Sequence, residues 1–322
     1  MKRKIGKPLS ILLAVVMTAG LMLTLTGCGD DSGIAQTRNA STPNSAVKTA
    51  NTDSKTEYMV ISKVTKYSSD GNIEYWTEYE YNSFGARVKE TNYSSDGNIT
   101  RREEYEHNGA GNRIKRTFYG SDGSINGWYE YEYDSNGNRI KDLYYNADDG
   151  NISEWYEYEY DSNKNITKEA HHYIDGSGNE WYYSYALYEY DNVGNRIKKT
   201  NYYGDGSVSS YSKYEYNSAG NIIKETSYDS DGNIIDWDEY KYDSTGNKTK
   251  KTNSDSYGSR WHEYEYNNDG EMTKDANYNS AGLVEWYEYE YNDGLKKKET
   301  YYSANGSIVN WREYEYITLY LN

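Results

Sequence analysis

Cysteine, proline and phenylalanine are almost missing from this chain. Among 322 residues there is one cysteine (Cys28), two prolines (Pro8 and Pro43) and two phenylalanines. A lone cysteine excludes an intrachain disulfide framework. The apolar class is 35%, and tyrosine, with 42 residues, supplies over a third of it, which excludes a large Leu/Ile/Val core. Positive charge is also short: Lys and Arg number 35 against 51 Asp and Glu, for a net charge of −16. That balance excludes nucleic-acid binding through a basic field, which needs clustered Lys and Arg. Few aliphatics and high net charge ordinarily give disorder. The aromatics and an internal repeat argue for a folded chain.

The first residues read as an export signal. Lys2, Arg3, Lys4 and Lys7 form a positive head, Ile11 to Leu25 is a nearly unbroken apolar run, and Leu25-Thr26-Gly27-Cys28 follows. The run is long enough to be weighed as a membrane helix. The Leu-x-Gly-Cys ending, with the only cysteine at its last position, resembles the bacterial lipoprotein box. The resemblance implies a signal peptide over 1–27 and a lipid on Cys28, which would anchor the protein to the membrane without a spanning helix. Removing 1–27 leaves a net charge of about −20, which an anionic bilayer surface repels. Residues 28–57 are small and polar without a hydrophobic period and read as the lipidated cysteine plus a flexible tether.

From Tyr58 onward one pattern recurs. Its mark is Tyr-Glu-Tyr followed by Asn or Asp, and the last aromatic of the mark falls at Tyr81, His107, Tyr133, Tyr160, Tyr190, Tyr216, Tyr242, Tyr266, Tyr291 and Tyr316. A period near 25 residues means a repeat architecture over 58–322. Each period carries two turn signals. One is of the type Asp134-Ser135-Asn136-Gly137-Asn138; the other is Asp-Gly or a relative, as at Asp70-Gly71 and Asp122-Gly123. The segments between are rich in Tyr, Trp, Ile and Thr and alternate as strands do. In Trp155-Tyr156-Glu157-Tyr158-Glu159-Tyr160 the tyrosines share one face, and the Trp and Glu share the other. The expected fold is all-β: an antiparallel meander of about twenty short strands, curled or spiralling, with a Tyr/Ile face inside and a Trp/Glu/Lys face outside.

Pairing Tyr133 with Asn138 across the turn sets Glu130 against Lys141. The same count sets Glu78 against Lys89, Glu104 against Lys115, Glu157 against Lys168, Glu239 against Lys250, Glu263 against Lys274 and Glu288 against Lys298; Leu187 with Lys198 and Lys213 with Lys224 break the rule. Such pairs would specify register more than supply stability.

The strings Tyr133-Asp134-Ser135-Asn136-Gly137-Asn138-Arg139-Ile140, Tyr190-Asp191-Asn192-Val193-Gly194-Asn195-Arg196-Ile197 and Tyr242-Asp243-Ser244-Thr245-Gly246-Asn247 resemble the Tyr-Asp (YD) repeats of RHS and teneurin-type proteins. The resemblance implies a β-spiral or solenoid that can wrap into a hollow shell. The Pro-containing self-cleaving segment of RHS toxins has no counterpart in the repeats, since both prolines precede them.

No motif carries catalysis. Asp229-Ser230-Asp231-Gly232-Asn233 resembles the start of a calcium loop but has Ser227 where the first ligand belongs. His107, His171, His172 and His262 lack zinc-ligand spacing, and His171 and His172 would point to opposite faces of a strand. No metal site or cofactor is expected. The carboxylates recur once per period, as solvated strand charge does, and no nucleophile elbow or phosphate loop occurs. The remaining signal is the tryptophan row Trp76, Trp128, Trp155, Trp181, Trp237, Trp261, Trp286 and Trp311. It serves either packing, with Trp128 over Leu143 for example, or as a ladder of stacking platforms for sugar rings. The sequence thus points to a non-enzymatic lipoprotein of the bacterial cell envelope, anchored on the extracytoplasmic side. Its repeat sheet would bind cell-wall or host glycans or surface proteins. The alternatives are a passive structural, shielding or RHS-like shell element and, more remotely, a carbohydrate-active enzyme built around the long period at His171–Gly178. The alternating tail Ile317–Leu321 is expected to be a terminal strand that caps the array or meets a partner.

Overall fold

The structure, a computed structural model, describes residues 47–49, 56–175 and 178–321. The expected signal peptide, Cys28 and residues 28–46 and 50–55 of the tether lie outside them. Within the tether, Val47–Thr49 form a short strand against Glu57–Met59, and the strand Thr56–Ser68 begins two residues before the expected boundary.

Among the described residues the chain is all strand, joined by tight turns. From Thr56–Ser68 through Ile308–Leu321, each strand pairs antiparallel with the next. The last then pairs with the first, from Thr56↔Leu321 to Ser68↔Asn310, and shuts the meander into a barrel of 20 strands. Closure removes the two exposed edges that an open meander would leave. The tail Ile317–Leu321 is the closing strand's end, paired to Thr56–Val60.

The register differs from the simple hairpin count by two residues. The turn closes between Asp134 and Asn138, with Asp134 N donating to Asn138 O at 2.9 Å, which moves the pairing by one. A bulge at Ile140 moves it by one more: Tyr133 faces Arg139 and Glu132 faces Lys141. The two displacements together restore parity, so the residues beyond the bulged isoleucine keep their faces although their partners change. Lys89 thus meets Glu80 instead of Glu78, and Lys168 meets Glu159 instead of Glu157. Trp128 faces Tyr145, and Leu143 lies opposite Trp155. The bulge also takes isoleucine out of the expected Tyr/Ile face: Ile114 and Ile197 are exposed.

Across the Asp-Gly turns the acids expected against a lysine face the lysine one period earlier: Glu78 meets Lys63 and Glu130 meets Lys115. Lys89 lies between Glu80 and Glu104, and Lys141 between Glu132 and Glu157. The bridges run from 2.7 Å (Lys89–Glu80) to 4.0 Å (Lys224–Glu239). Their carboxylates stand well exposed, so each contributes little. The opposite face carries Tyr, Arg and a second set of acids whose pairs are far more enclosed. Glu103 beside Arg116 has side-chain exposure of 5%, against 61% for Glu80 beside Lys89. Tyr105, Tyr131, Tyr188 and Tyr214 are buried there. That crowding marks the Tyr/Arg face as the concave lining and the Trp/Glu/Lys face as the convex exterior.

Turn chemistry follows one template, with one informative exception. In the turns that follow the Tyr-Glu-Tyr mark the first residue, Asp134 for instance, accepts from the backbone N–H groups two and four residues on (Asn136 and Asn138). Gly137 supplies φ of 80°. In the next copy that position is Lys164, at φ of 67°. A left-handed conformation costs an L-residue about 1–2 kcal/mol. Lys164→Gly should therefore stabilise the barrel by about 0.5–1 kcal/mol after glycine's extra chain entropy is subtracted, read as a higher urea midpoint with an unchanged slope. An unchanged or lower midpoint would contradict it.

Candidate functional site

The exterior tryptophans come first, since the sequence singles them out. The indole N–H of each of Trp76, Trp128, Trp155, Trp261, Trp286 and Trp311 donates to the Glu two residues on, at 3.0–3.2 Å. One ring face stacks on an aromatic of the following strand: Trp76 on Tyr93, Trp128 on Tyr145, Trp155 on His172, Trp261 on Tyr278 and Trp286 on Tyr302. Trp311 repeats this across the closure, stacking on Tyr67 at 5.2 Å. A lysine of the preceding strand lies over each ring, as Lys250 does over Trp261 at 4.8 Å. Both faces of these six rings are therefore covered, and an edge is what they present. Trp237 faces Ser254 across the next pairing. Trp181 leaves the row: its place is taken by Tyr185, stacked on Tyr202 at 4.5 Å, while Trp181 sits at the end of the long hairpin, 53% exposed.

A second row was not anticipated. The last tyrosine of nearly every mark donates its hydroxyl to a backbone carbonyl in the strand before it, at that strand's first residue in all pairs but those to Ile61 and Lys296. The pairs run Tyr81–Ile61, Tyr133–Arg113, Tyr160–Arg139, Tyr190–Ile166, Tyr216–Arg196, Tyr242–Ile222, Tyr266–Lys248, Tyr291–Met272 and Tyr316–Lys296, all at 2.6–2.9 Å. Each bond satisfies a carbonyl beside a turn and ties neighbouring hairpins together. His107 holds the equivalent place in the one remaining mark, the second along the chain, and its buried Nδ1 has no partner.

Between these clamps and mid-strand runs an inner belt of cations, tyrosines and acids. Arg139 pairs with Asp142 at 3.0 Å and lies over Tyr131 and Tyr158, while the Tyr158 hydroxyl donates to Asp142 at 3.0 Å. Lys296, Glu299, Arg312 and Tyr314 repeat the arrangement. Burial pushes the carboxyls of Glu103, Asp142 and Glu225 above their ordinary range. Burial likewise pushes the phenols up: Tyr79, with Glu90 adding to the effect, reaches about 12. In these sectors cation, phenol and carboxylate engage one another directly.

The long hairpin is the main irregularity. The strands Ile166–Ile174 and Glu180–Tyr190 pair through a bulge at His171/His172. His171 stacks on Tyr156 on the inner face and His172 on Trp155 on the outer, as adjacent strand residues must. Gly204 from the neighbouring turn lies so close to the Tyr182 carbonyl that no Cβ fits. Trp181, Tyr183 and Tyr203 are left 53–60% exposed. Among the described residues no group of three or more His, Cys, Asp or Glu side chains is placed to hold a metal ion.

Residues 208–253 match a family model described as a protein of unknown function (DUF2963). No curated protein matches the chain. Among solved structures, the TcdB2-TccC3-TEV crystal structure is similar at 15% identity and a TM-score of 0.36 over 78% of this chain; the chain spans 16% of that one. A porin-like protein from Bacteroides uniformis is similar at 11% identity and a TM-score of 0.34, over 80% of this chain and 96% of that one.

The clamp tyrosines were visible in the sequence only as the end of a motif. Their bonding partners, one hairpin away, depend on the bulged register. The inner cations had a plainer signal: Arg or Lys directly after the turn, as in Arg87, Arg113, Arg139, Arg196, Lys248 and Lys296.

Proposed function

We propose that this chain is a non-enzymatic cell-surface lipoprotein, held by lipid on Cys28 at the outer side of a bacterial membrane, whose closed barrel serves as a ligand-binding or adhesion surface. The observation carrying this reading is where the repeat breaks. Around most of the barrel the side chains are spent on one another, in Trp–Lys–Tyr stacks, tyrosine clamps and inner ion pairs. The departures gather at the long hairpin and at the Arg-rich repeat around His107. At the long hairpin Trp181, Tyr183 and Tyr203 offer open aromatic surface, the chemistry that sugar rings stack on.

The covered faces of Trp76, Trp128, Trp155, Trp261, Trp286 and Trp311 favour packing over a glycan ladder for that row. They support the second reading, a passive shell element, if no ligand is found. A glycan array probed with the full chain separates the two. Binding that is lost in Trp181→Ala and Tyr183→Ala, and kept in Trp286→Ala, is expected. An array without signal would leave the shell reading in its place, and binding lost only with Trp286→Ala would restore the ladder.

A further inference from the structure

The repeat at residues 95–119 departs from its neighbours at three positions, and two of them lie on the inner wall. Arg102 takes the exterior tryptophan position and lies over Tyr119 at 4.0 Å. The other two changes face inward. His107 replaces a clamp tyrosine, and Arg116 stands where Arg87 and Arg139 have Glu90 and Asp142 three residues on. His107 lies directly opposite Arg113 in the register, and Tyr105 opposite Arg116.

Charge does not balance in this sector. The inner carboxylates are Glu90 and Glu103. Glu90 is engaged by Arg87 at 3.1 Å, and Glu103 by Arg116 at 2.7 Å and by Arg101. Arg113 is left without an ion pair among the described residues. Its guanidinium lies over the Tyr105 ring at 4.5 Å, and its Nε is buried with no hydrogen-bond partner. His107 Nδ1, across the strand pair, is buried and unpartnered as well. A guanidinium and an imidazole, both short of an acceptor and side by side, make a place for oxygen atoms bearing negative charge. The rim above them is permissive: the turns there begin with Asn82 and Asn108, whereas the turns at 134, 161, 191 and 243 begin with Asp.

We propose that His107 and Arg113 form an anion-binding site on the inner wall of the barrel, at the Asn108–Asn112 rim, which takes a phosphate-type oxyanion. Burial and the Arg113 charge hold the His107 imidazole below its ordinary pKa, so at neutral pH it is uncharged and donates from one nitrogen while Arg113 supplies charge. Arg196 with Lys199 is the comparable cation pair, and Arg196 Nε is also unpartnered. There, however, both flanking clamps, Tyr190 and Tyr216, are intact, and the adjoining turn carries Asp191. The inference names a ligand chemistry for the binding reading above and rests on it only for biological meaning; the site itself is tested with inorganic phosphate.

Calorimetric titration of the full chain at neutral pH and fixed ionic strength should show saturable phosphate binding that equal chloride does not reproduce. The His107 ring resonances should move with it, and the His107 pKa should rise. Arg113→Gln should weaken binding at least tenfold. His107→Tyr, which installs the residue the other marks carry and restores a clamp, should abolish binding while leaving the circular dichroism intact and the urea midpoint equal or higher. Lys115→Gln, on the exterior of the same strand, and Arg196→Gln should bind as the parent does. Glycerol phosphate as the second titrant separates free phosphate from an ester group: equal affinity means the site takes a phosphoryl group at the end of a larger ligand, and binding of phosphate alone restricts it to the free ion. No saturable binding, chloride acting equally, or Arg196→Gln costing as much as Arg113→Gln would overturn the site. A glycan array can succeed or fail independently of each of these results.

Discussion

Raising the pH through the phenol range should unfold the barrel in one step, with phenolate absorbance and loss of the sheet's circular dichroism moving together. Tyrosine carries the interior, and burial holds its phenols protonated: Tyr79, Tyr129, Tyr160, Tyr214 and Tyr291 are each raised from 10.0 to about 12, burial being the leading cause in every case. Tyr105, Tyr158, Tyr188, Tyr240 and Tyr314 are pushed higher still, with neighbouring carboxylates adding to burial. The sign is set by proton linkage. Between pH 10 and about 12 the unfolded chain sheds phenolic protons that the folded barrel keeps, so stability, complete below pH 10, falls as pH rises. For a well-buried phenol such as Tyr79 the rise to about 12 corresponds to at most about 2.7 kcal/mol, and half-exposed rings such as Tyr160 and Tyr291 contribute less because solvent screens them. Several such groups together exceed the 5–15 kcal/mol of an ordinary domain, so the transition should lie near pH 11, before the individual folded-state values are reached. Gradual phenol titration near pH 10, with the sheet signal unchanged beyond pH 12, would show that the rings stand in water.

The second large effect is expected at the closure. Trp311→Ala should destabilise the barrel by about 2–3 kcal/mol, from lost ring burial plus an aromatic stack. It should match Trp286→Ala to within about 0.5 kcal/mol. The two rings have equivalent surroundings: Trp286 has Tyr302, Lys274, Glu288 and the Gly306 turn, and Trp311 has Tyr67, Lys298, Glu313 and the Gly71 turn. In Trp311 the stacking partner comes from the far end of the fold. An open spiral would leave Trp311 on an edge without Tyr67, and its removal would then cost clearly less than that of Trp286. Paired urea titrations decide between these outcomes.

The candidate sites were only partly legible beforehand. His107 stands in the sequence where the other marks end in tyrosine, yet its meaning depends on the clamp bond that its counterparts make. Arg113 and Arg116 look in sequence like two more basic residues of a strand. Only the bulged register sets Arg113 against His107 and leaves it without an acid. Trp181 belonged to the tryptophan list by composition, but the longer hairpin carries it out of the row.

The sequence alone determined the local order: two turns per period, strands of a given length, and which side chains share a face, because alternation and turn chemistry act within a few residues. Register, closure and which cation meets which acid were decided by the folded sheet. A bulge is felt only when two strands are paired, and the bond between the Thr56–Ser68 and Ile308–Leu321 strands exists only once accumulated twist and curl bring the two ends of the repeat array together.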